Sequence, residues 1–460
     1  MKKRSTLGVT LIGGLEEEVT PWAGAAILVE MYRKTGIEAA VEQSLPKKRS
    51  PKGLREGQMV ESFILLSTLG GDCLDDMKRL REDKGLEAML GYRPPAPETA
   101  RQWLDRFHAE KVMANKPKQG AFIPEEAGGL AGLKWPNKQV IWTYVEKISP
   151  EPYVTLDVDA QLVETAKREA LYCYEGYRAF QPMEVCWAET GLVLADEFRD
   201  GNVPAGKGIK RIVDEAYEMQ PQGEWKVRVR SDSAGYQQEI LEHWEKRGWG
   251  FAVSARMRPQ LKDAIEALPD AVWKVWNSEK GNVIREWAEL PYVPGRSQER
   301  KDSQPYRYVA VRVRRRQGEL FEGEEEEKLR HYAVVSNIWD MDGCELLEWQ
   351  RGKAGTIEHI HHILDSELAG GVYPSAKHGA NAAWLRLQVL THNLLQLLKA
   401  VTLPQEYANA YPKRLRFAIF TQFGRVVSHA GRILLRLANR VWEVFLRAAY
   451  NRVLALSPPG

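Results

Sequence analysis

The chain has 460 residues, 44% of them hydrophobic, and a formal net charge of +3. That length suits about two to four domains, and the near-neutral balance excludes a globally basic polyanion binder, so an anionic partner has to be held by local patches. Cys73, Cys173, Cys186 and Cys344 show neither metal-ligand spacing nor a disulfide framework. The basic start Met1-Lys2-Lys3-Arg4-Ser5 is not followed by a signal-peptide apolar core, and no apolar run approaches a membrane span. These features predict a soluble protein of a reducing compartment, cytoplasmic and without a membrane partner.

Residues 1–114 read as mainly helical. Trp22 to Thr35 carries a helical apolar stripe, and Gln58 to Leu69 is a second apolar helix stopped by Gly70-Gly71. After the turn at Gly91 to Pro97, the segment Glu98 to Phe107 predicts a helix bearing Arg101 and Arg106. A short helix, a turn and a basic helix resemble a helix-turn-helix layout, which makes these two arginines candidate DNA contacts; many helical bundles share that pattern. Residues 115–150 begin with a stretch rich in Pro, Gly and Lys and read as a linker.

Residues 151–256 change to a mixed pattern in the order β-β-β-α-β-α-β. The first strand, Tyr153-Val154-Thr155-Leu156-Asp157-Val158-Asp159, alternates with period two. Val154, Leu156 and Val158 face one way; Asp157 and Asp159 share the other face, roughly 6–7 Å apart. Two carboxylates on a buried strand are costly unless a positive partner sits on them, and a metal ion is one such partner; a solvated strand end is the plain alternative. Asp232 follows the strand Trp225 to Arg230 directly, where sites form in open α/β sheets, although an acid there also suits a helix N-cap.

Residues 257–345 predict a β-rich insertion with strands at Val283 to Leu290, Tyr306 to Arg316 and Leu329 to Asn337, and an acidic hairpin tip at Glu322 to Glu327. Arg312 and Arg314 alternate with valines, as in a basic ribbon tracking phosphates or in a solvated strand face. Residues 346–403 return to helix. Thr356 is a plausible N-cap for a helix with Ile357, Ile360 and Leu364 inward and Glu358 on the adjoining face. His359, His361 and His362 lack the spacing of a zinc helix. Residues 404–460 predict a basic helical region, in which Arg432, Arg436 and Arg440 stand at i, i+4 spacing as a polyanion-binding face or as a solubilising one.

On these residues the chain resembles a bacterial insertion-sequence transposase of the DDE type, with a ribonuclease-H-like core. The stretches that carry the resemblance are Leu156 to Thr165, Phe198-Arg199-Asp200-Gly201-Asn202, Arg230 to Tyr236, Gly355 to His359 and Gly379 to Trp384. It implies an α/β fold in which the β-rich insertion interrupts the core, as in cut-and-paste members. It also implies three metal-binding catalytic carboxylates: Asp157 or Asp159, Asp232 and Glu358. Asp159 is preferred because the small residue Ala160 follows it. Related transposases set a Tyr and an Arg before the Glu and a Lys after it; here those positions hold Arg351, Ala354 and Asp365, and Arg351 or Lys353 substitutes in phosphate handling. The implied cofactor is a pair of Mg²⁺ ions, with Mn²⁺ as a substitute. The implied partners are double-stranded DNA and a second copy of the chain. A nuclease that only hydrolyses DNA and a non-catalytic end-binding repressor are the competing readings.

Overall fold

The structure is a computed structural model describing residues 17–47, 52–279, 283–294, 305–315, 328–430 and 432–458. Nine of the described strands form one mixed sheet: β1 (Tyr153–Ala160), β2 (Met183–Trp187), β3 (Leu192–Glu197), β4 (Lys226–Ser231), β5 (Gly250–Ser254), β6 (Lys274–Glu279), β7 (Val283–Leu290), β8 (Arg307–Arg315) and β9 (Lys328–Ser336). Their spatial order is β6-β7-β8-β9-β5-β4-β1-β2-β3. β1, β4 and β5 run parallel, while β2 and β3 return antiparallel on one flank.

Eleven of the described helices are, in chain order, α1 (Ala26–Lys34), α2 (Ile37–Ser44), α3 (Glu56–Thr68), α4 (Pro97–Asp105), α5 (Lys134–Ile148), α6 (Ile209–Glu218), α7 (Gln238–Lys246), α8 (Gly343–Arg351), α9 (Ile357–His362), α10 (His378–Thr402) and α11 (Arg440–Leu454). The alternation read from the first strand holds. Val154, Leu156 and Val158 are buried in one core with Ile209, Ile212 and Val213 of α6 and Ile240, Leu241 and Trp244 of α7. Cys186, the cross-strand partner of Asp157, belongs instead to the second core, built with α10 and the N-terminal helices. The two faces of β1 therefore meet two different cores, and the acids lie on the side from which α9 approaches. α10 is buried along most of its length and packs against β3, α3, α4, α5 and α11.

Two sequence expectations need correction. Residues 115–150 are not a linker throughout: α5 occupies 134–148 and packs on α10 with Val140 and Ile141 buried. Pro136 misled the reading, yet it lies in the first helical turn, where the missing N–H has no partner to lose. The strands of the β-rich stretch join the central sheet: β9 pairs with β5, so the meander β6–β9 extends it. Its predicted tip, Glu322 to Glu327, and Arg316 lie outside the described residues. Finally, the C-terminal region is not helical throughout. Gly424–His429 and Arg432–Leu437, here β10 and β11, form an antiparallel hairpin that pairs with Val19–Thr20, and only then does α11 begin. The i, i+4 spacing of Arg432 and Arg436 is the reason: residues four apart share a face in a strand as well as in a helix.

Candidate active site

Asp157 and Asp159 share a face but not an environment. Asp157 is fully buried and receives a two-pronged ion pair from Arg230 of β4, Nε to Oδ1 at 2.6 Å and Nη2 to Oδ2 at 2.7 Å. The Thr356 hydroxyl donates to its Oδ2 as well. Arg230 continues to the Trp349 carbonyl at the end of α8. Asp157 is thus a buried anchor that ties β1, β4 and the turn before α9 together, with its lone pairs taken up by protein donors.

Asp159, two residues on, is only partly buried. Its Oδ1 accepts from the Ala160 N–H, and its Oδ2 lies 2.9 Å from the Nζ of Lys353. Asp232 leaves the end of β4, beside β1 in parallel register, and caps the short turn Ser233–Gly235 by accepting from the Ala234 N–H. Burial and the neighbouring Asp159 carboxylate raise the Asp232 pKa, against Lys353, which lowers it. The parallel register, which pairs Val158 with Ser231, sets Asp159 and Asp232 at the ends of adjacent strands.

Glu358 stands on the first turn of α9, two residues after Thr356, and α9 packs on β1 and β2. Its side chain is exposed, with no hydrogen-bond or ion-pair partner among the described residues. The three predicted acids are not drawn into one ion-sized cage. Among the described residues, the group close enough to share an ion is Asp72, Cys73 and Asp76, in a loop where Asp76 already accepts from the other two residues.

Behind Asp159 lies a polar cluster that sequence reading missed. Glu184 is the cross-strand partner of Asp159 and is fully buried. Its Oε2 lies 3.1 Å from the Nε2 of His361, although neither carboxylate oxygen accepts a well-aligned hydrogen bond. Burial works against charge on His361, but the Glu184 partner outweighs it and raises the pKa. Asp365 is pushed up to about 7 by burial and by Glu184. The signal was present in the chain: a glutamate inside the otherwise apolar run Met183-Glu184-Val185-Cys186-Trp187. His361 thus turns inward to a carboxylate, while His359 reaches the Tyr411 hydroxyl at 3.2 Å.

The predicted cations are used unequally. Arg312 is buried, donates to Glu286 at 2.8 Å and Asp270 at 2.7 Å, and stacks over Trp273; Arg314 pairs with the same two acids. Arg106 is held at 3.0 Å by the buried Glu56, which also accepts from the Trp103 indole, so α4 is bound into the core by these contacts. Arg101, Arg351, Arg432 and Arg436 are exposed, Arg101 loosely paired with Glu98 and Arg351 lying over Trp276.

The sequence matches the family described as transposase DDE domain group 1 over residues 11–458, nearly its whole length. The chain belongs to the DDE transposase family. A search of characterised protein sequences finds no match for this transposase. Among solved structures, the transposase is similar to a piggyBac transposase synaptic complex with hairpin DNA, solved by cryo-EM, at 10% identity and a TM-score of 0.35, over 94% of this chain and 86% of that one. Among the described residues, no helix of the transposase is long and apolar enough to cross a membrane.

Proposed function

We propose that this transposase cuts DNA at the ends of a bacterial insertion sequence and joins the freed ends to target DNA, with Asp159, Asp232 and Glu358 as its metal-binding catalytic acids. The observation that carries the assignment of the first acid is the difference between the two aspartates of β1. Asp157 is saturated by Arg230 and Thr356, whereas Asp159 faces Asp232 with a single lysine as counter-charge. The strand order β3-β2-β1-β4-β5, with the acids at the ends of neighbouring parallel strands, supports a ribonuclease-H-like core.

The donor set suits Mg²⁺, with Mn²⁺ as a substitute: hard carboxylate oxygens, partly desolvated and repelling one another. Asp159 and Asp232 would hold the ions, with Glu358 closing the set from α9. When bound, a divalent pair supplies an activated water or 3′-hydroxyl and neutralises the departing oxygen. Arg230 and Thr356 hold β1 and the Glu358 turn in register through Asp157. Lys353, beside Asp159, and Arg351, at the end of α8, are the cations assigned here to the scissile phosphate. Arg101, Arg432 and Arg436 are exposed cations for flanking phosphates, whereas Arg106, Arg312 and Arg314 act first as internal pairing partners. The reading includes a homodimer on two DNA ends in the bacterial cytoplasm.

The test uses DNA flanking the coding region as substrate. Asp159→Asn, Asp232→Asn and Glu358→Gln are each expected to bind this DNA and to lose Mg²⁺-dependent cleavage. Full cleavage by any one of them removes that residue from the site. Joining of cut ends to a target plasmid separates transposition from simple hydrolysis.

A further inference from the structure

Lys353 occupies an unusual position. It lies on the turn Gly352–Gly355 between α8 and α9, its side chain is buried, and its Nζ is 2.9 Å from Asp159 Oδ2. Asp157 already has Arg230, so the lysine's charge is directed to the open pair Asp159 and Asp232. An ammonium bonded to a carboxylate oxygen uses the lone pairs a divalent ion needs, and two cations cannot sit within a few ångströms of each other in a partly desolvated site without strong repulsion. A lysine has the means to yield: a four-carbon stem with freely turning bonds and a point charge without directional demands.

Resting on the acid site proposed above, we infer that Lys353 is a tethered cation that holds the place of the divalent ion in the resting transposase and is displaced when the ion binds. The device keeps Asp159 and Asp232 neutralised, and the site preformed, before DNA arrives. It also lowers the enzyme's affinity for free metal, so that the ions enter productively when a DNA phosphate offers the displaced ammonium a new partner. Arg230 cannot play this part, because its fork is fixed to Asp157 and to the Trp349 carbonyl.

The experiment titrates Mn²⁺ into the full-length protein without DNA and counts free ion by electron paramagnetic resonance. Lys353→Gln is expected to bind Mn²⁺ roughly tenfold more tightly than the wild type, and Lys353→Arg, which keeps the charge, much less so. Unchanged or weaker binding by Lys353→Gln, with the ion lost in Asp159→Asn, would overturn the tethered-cation role and leave the acid site standing. Wild-type Mn²⁺ binding by both Asp159→Asn and Asp232→Asn would instead bring down the acid site, and this inference with it. A second measurement needs no variant. Acetic anhydride labelling of Lys353, read by peptide mass spectrometry, is expected to rise when Mn²⁺ is added; labelling that stays low at saturating Mn²⁺ contradicts displacement.

Discussion

Asp157 and Asp159 are identical side chains on one face of one strand, yet they sit in different surroundings. The first is closed in by a guanidinium fork and a hydroxyl; the second keeps an edge toward Asp232. The two should therefore respond in opposite ways to the same change. Asp157→Asn leaves Arg230 buried and short of its counter-charge, and is expected to cost about 3–5 kcal/mol in urea unfolding. Asp232→Asn removes a carboxylate whose charge is opposed by burial and by Asp159, so its unfolding midpoint is expected to stay level or rise while cleavage is lost. A stable Asp157→Asn beside an unfolded Asp232→Asn would reverse the assignment. The sequence could not make this choice. Period-two alternation places both acids on one face, but Arg230 and Thr356 reach Asp157 from positions 73 and 199 residues away.

At the scale of elements, the first strand and the two helices that cover its apolar face were legible because their periodicity is local. The C-terminal hairpin was not, since its arginine spacing fits strand and helix equally and its pairing with Val19–Thr20 is remote in the chain. The hairpin changes the meaning of the basic residues. Arg425, paired with Glu17 at 3.0 Å, is the direct cross-strand partner of Arg436, and Arg432 lies on the same ribbon face, which gathers three arginines there against one acid. Directly opposed like charges are unfavourable in isolation, an arrangement an anionic partner relieves. Joint substitution Arg432→Gln and Arg436→Gln is expected to weaken DNA binding regardless of sequence. It should also reduce the slope of log affinity against log salt by about 2. Filter binding over a salt series gives both values; an unchanged slope would take the hairpin out of the DNA interface. In contrast, the basic strand β8 looked equally promising as sequence, yet Arg312 is enclosed by Glu286, Asp270 and Trp273, contacts that alternation alone does not reveal.

For the whole molecule, stability depends on polar groups buried where α10 meets the sheet. Arg386 of α10, almost fully buried, pairs with Asp196 of β3 and with Glu126; burial opposes charge on Glu126, but Arg386 and Lys134 outweigh it and hold its pKa at about 2. Burial keeps His378 and His392 of the same helix neutral, with pKa values of about 4. A histidine pKa lower in the folded than in the unfolded chain means that the unfolded chain takes up the proton first. Stability is then present above about pH 6.5 and lost as pH falls toward 4, by up to roughly 3 kcal/mol for each histidine. The depressed Glu126 extends the loss below the ordinary carboxylate range, toward pH 2. The raised pKa values of Asp365 and His361 work the other way over the same range, so the test is a difference between two proteins: from pH 7.5 down to about pH 4 the urea midpoint of His392→Gln should lose less than that of the wild type; equal changes in both would contradict the buried neutral state.

The proposed function requires that Asp159 of β1, Asp232 after β4 and Glu358 of α9 meet at a common divalent site once DNA and metal are bound. Anomalous diffraction from crystals of the transposase with bound DNA and Mn²⁺ tests it directly. Manganese peaks are expected bonded to Asp159 and Asp232, with Glu358 turned in to join them, Lys353 moved off Asp159 and Asp157 still on Arg230. Manganese on Asp157, or Glu358 left in solvent away from the metal, would contradict it.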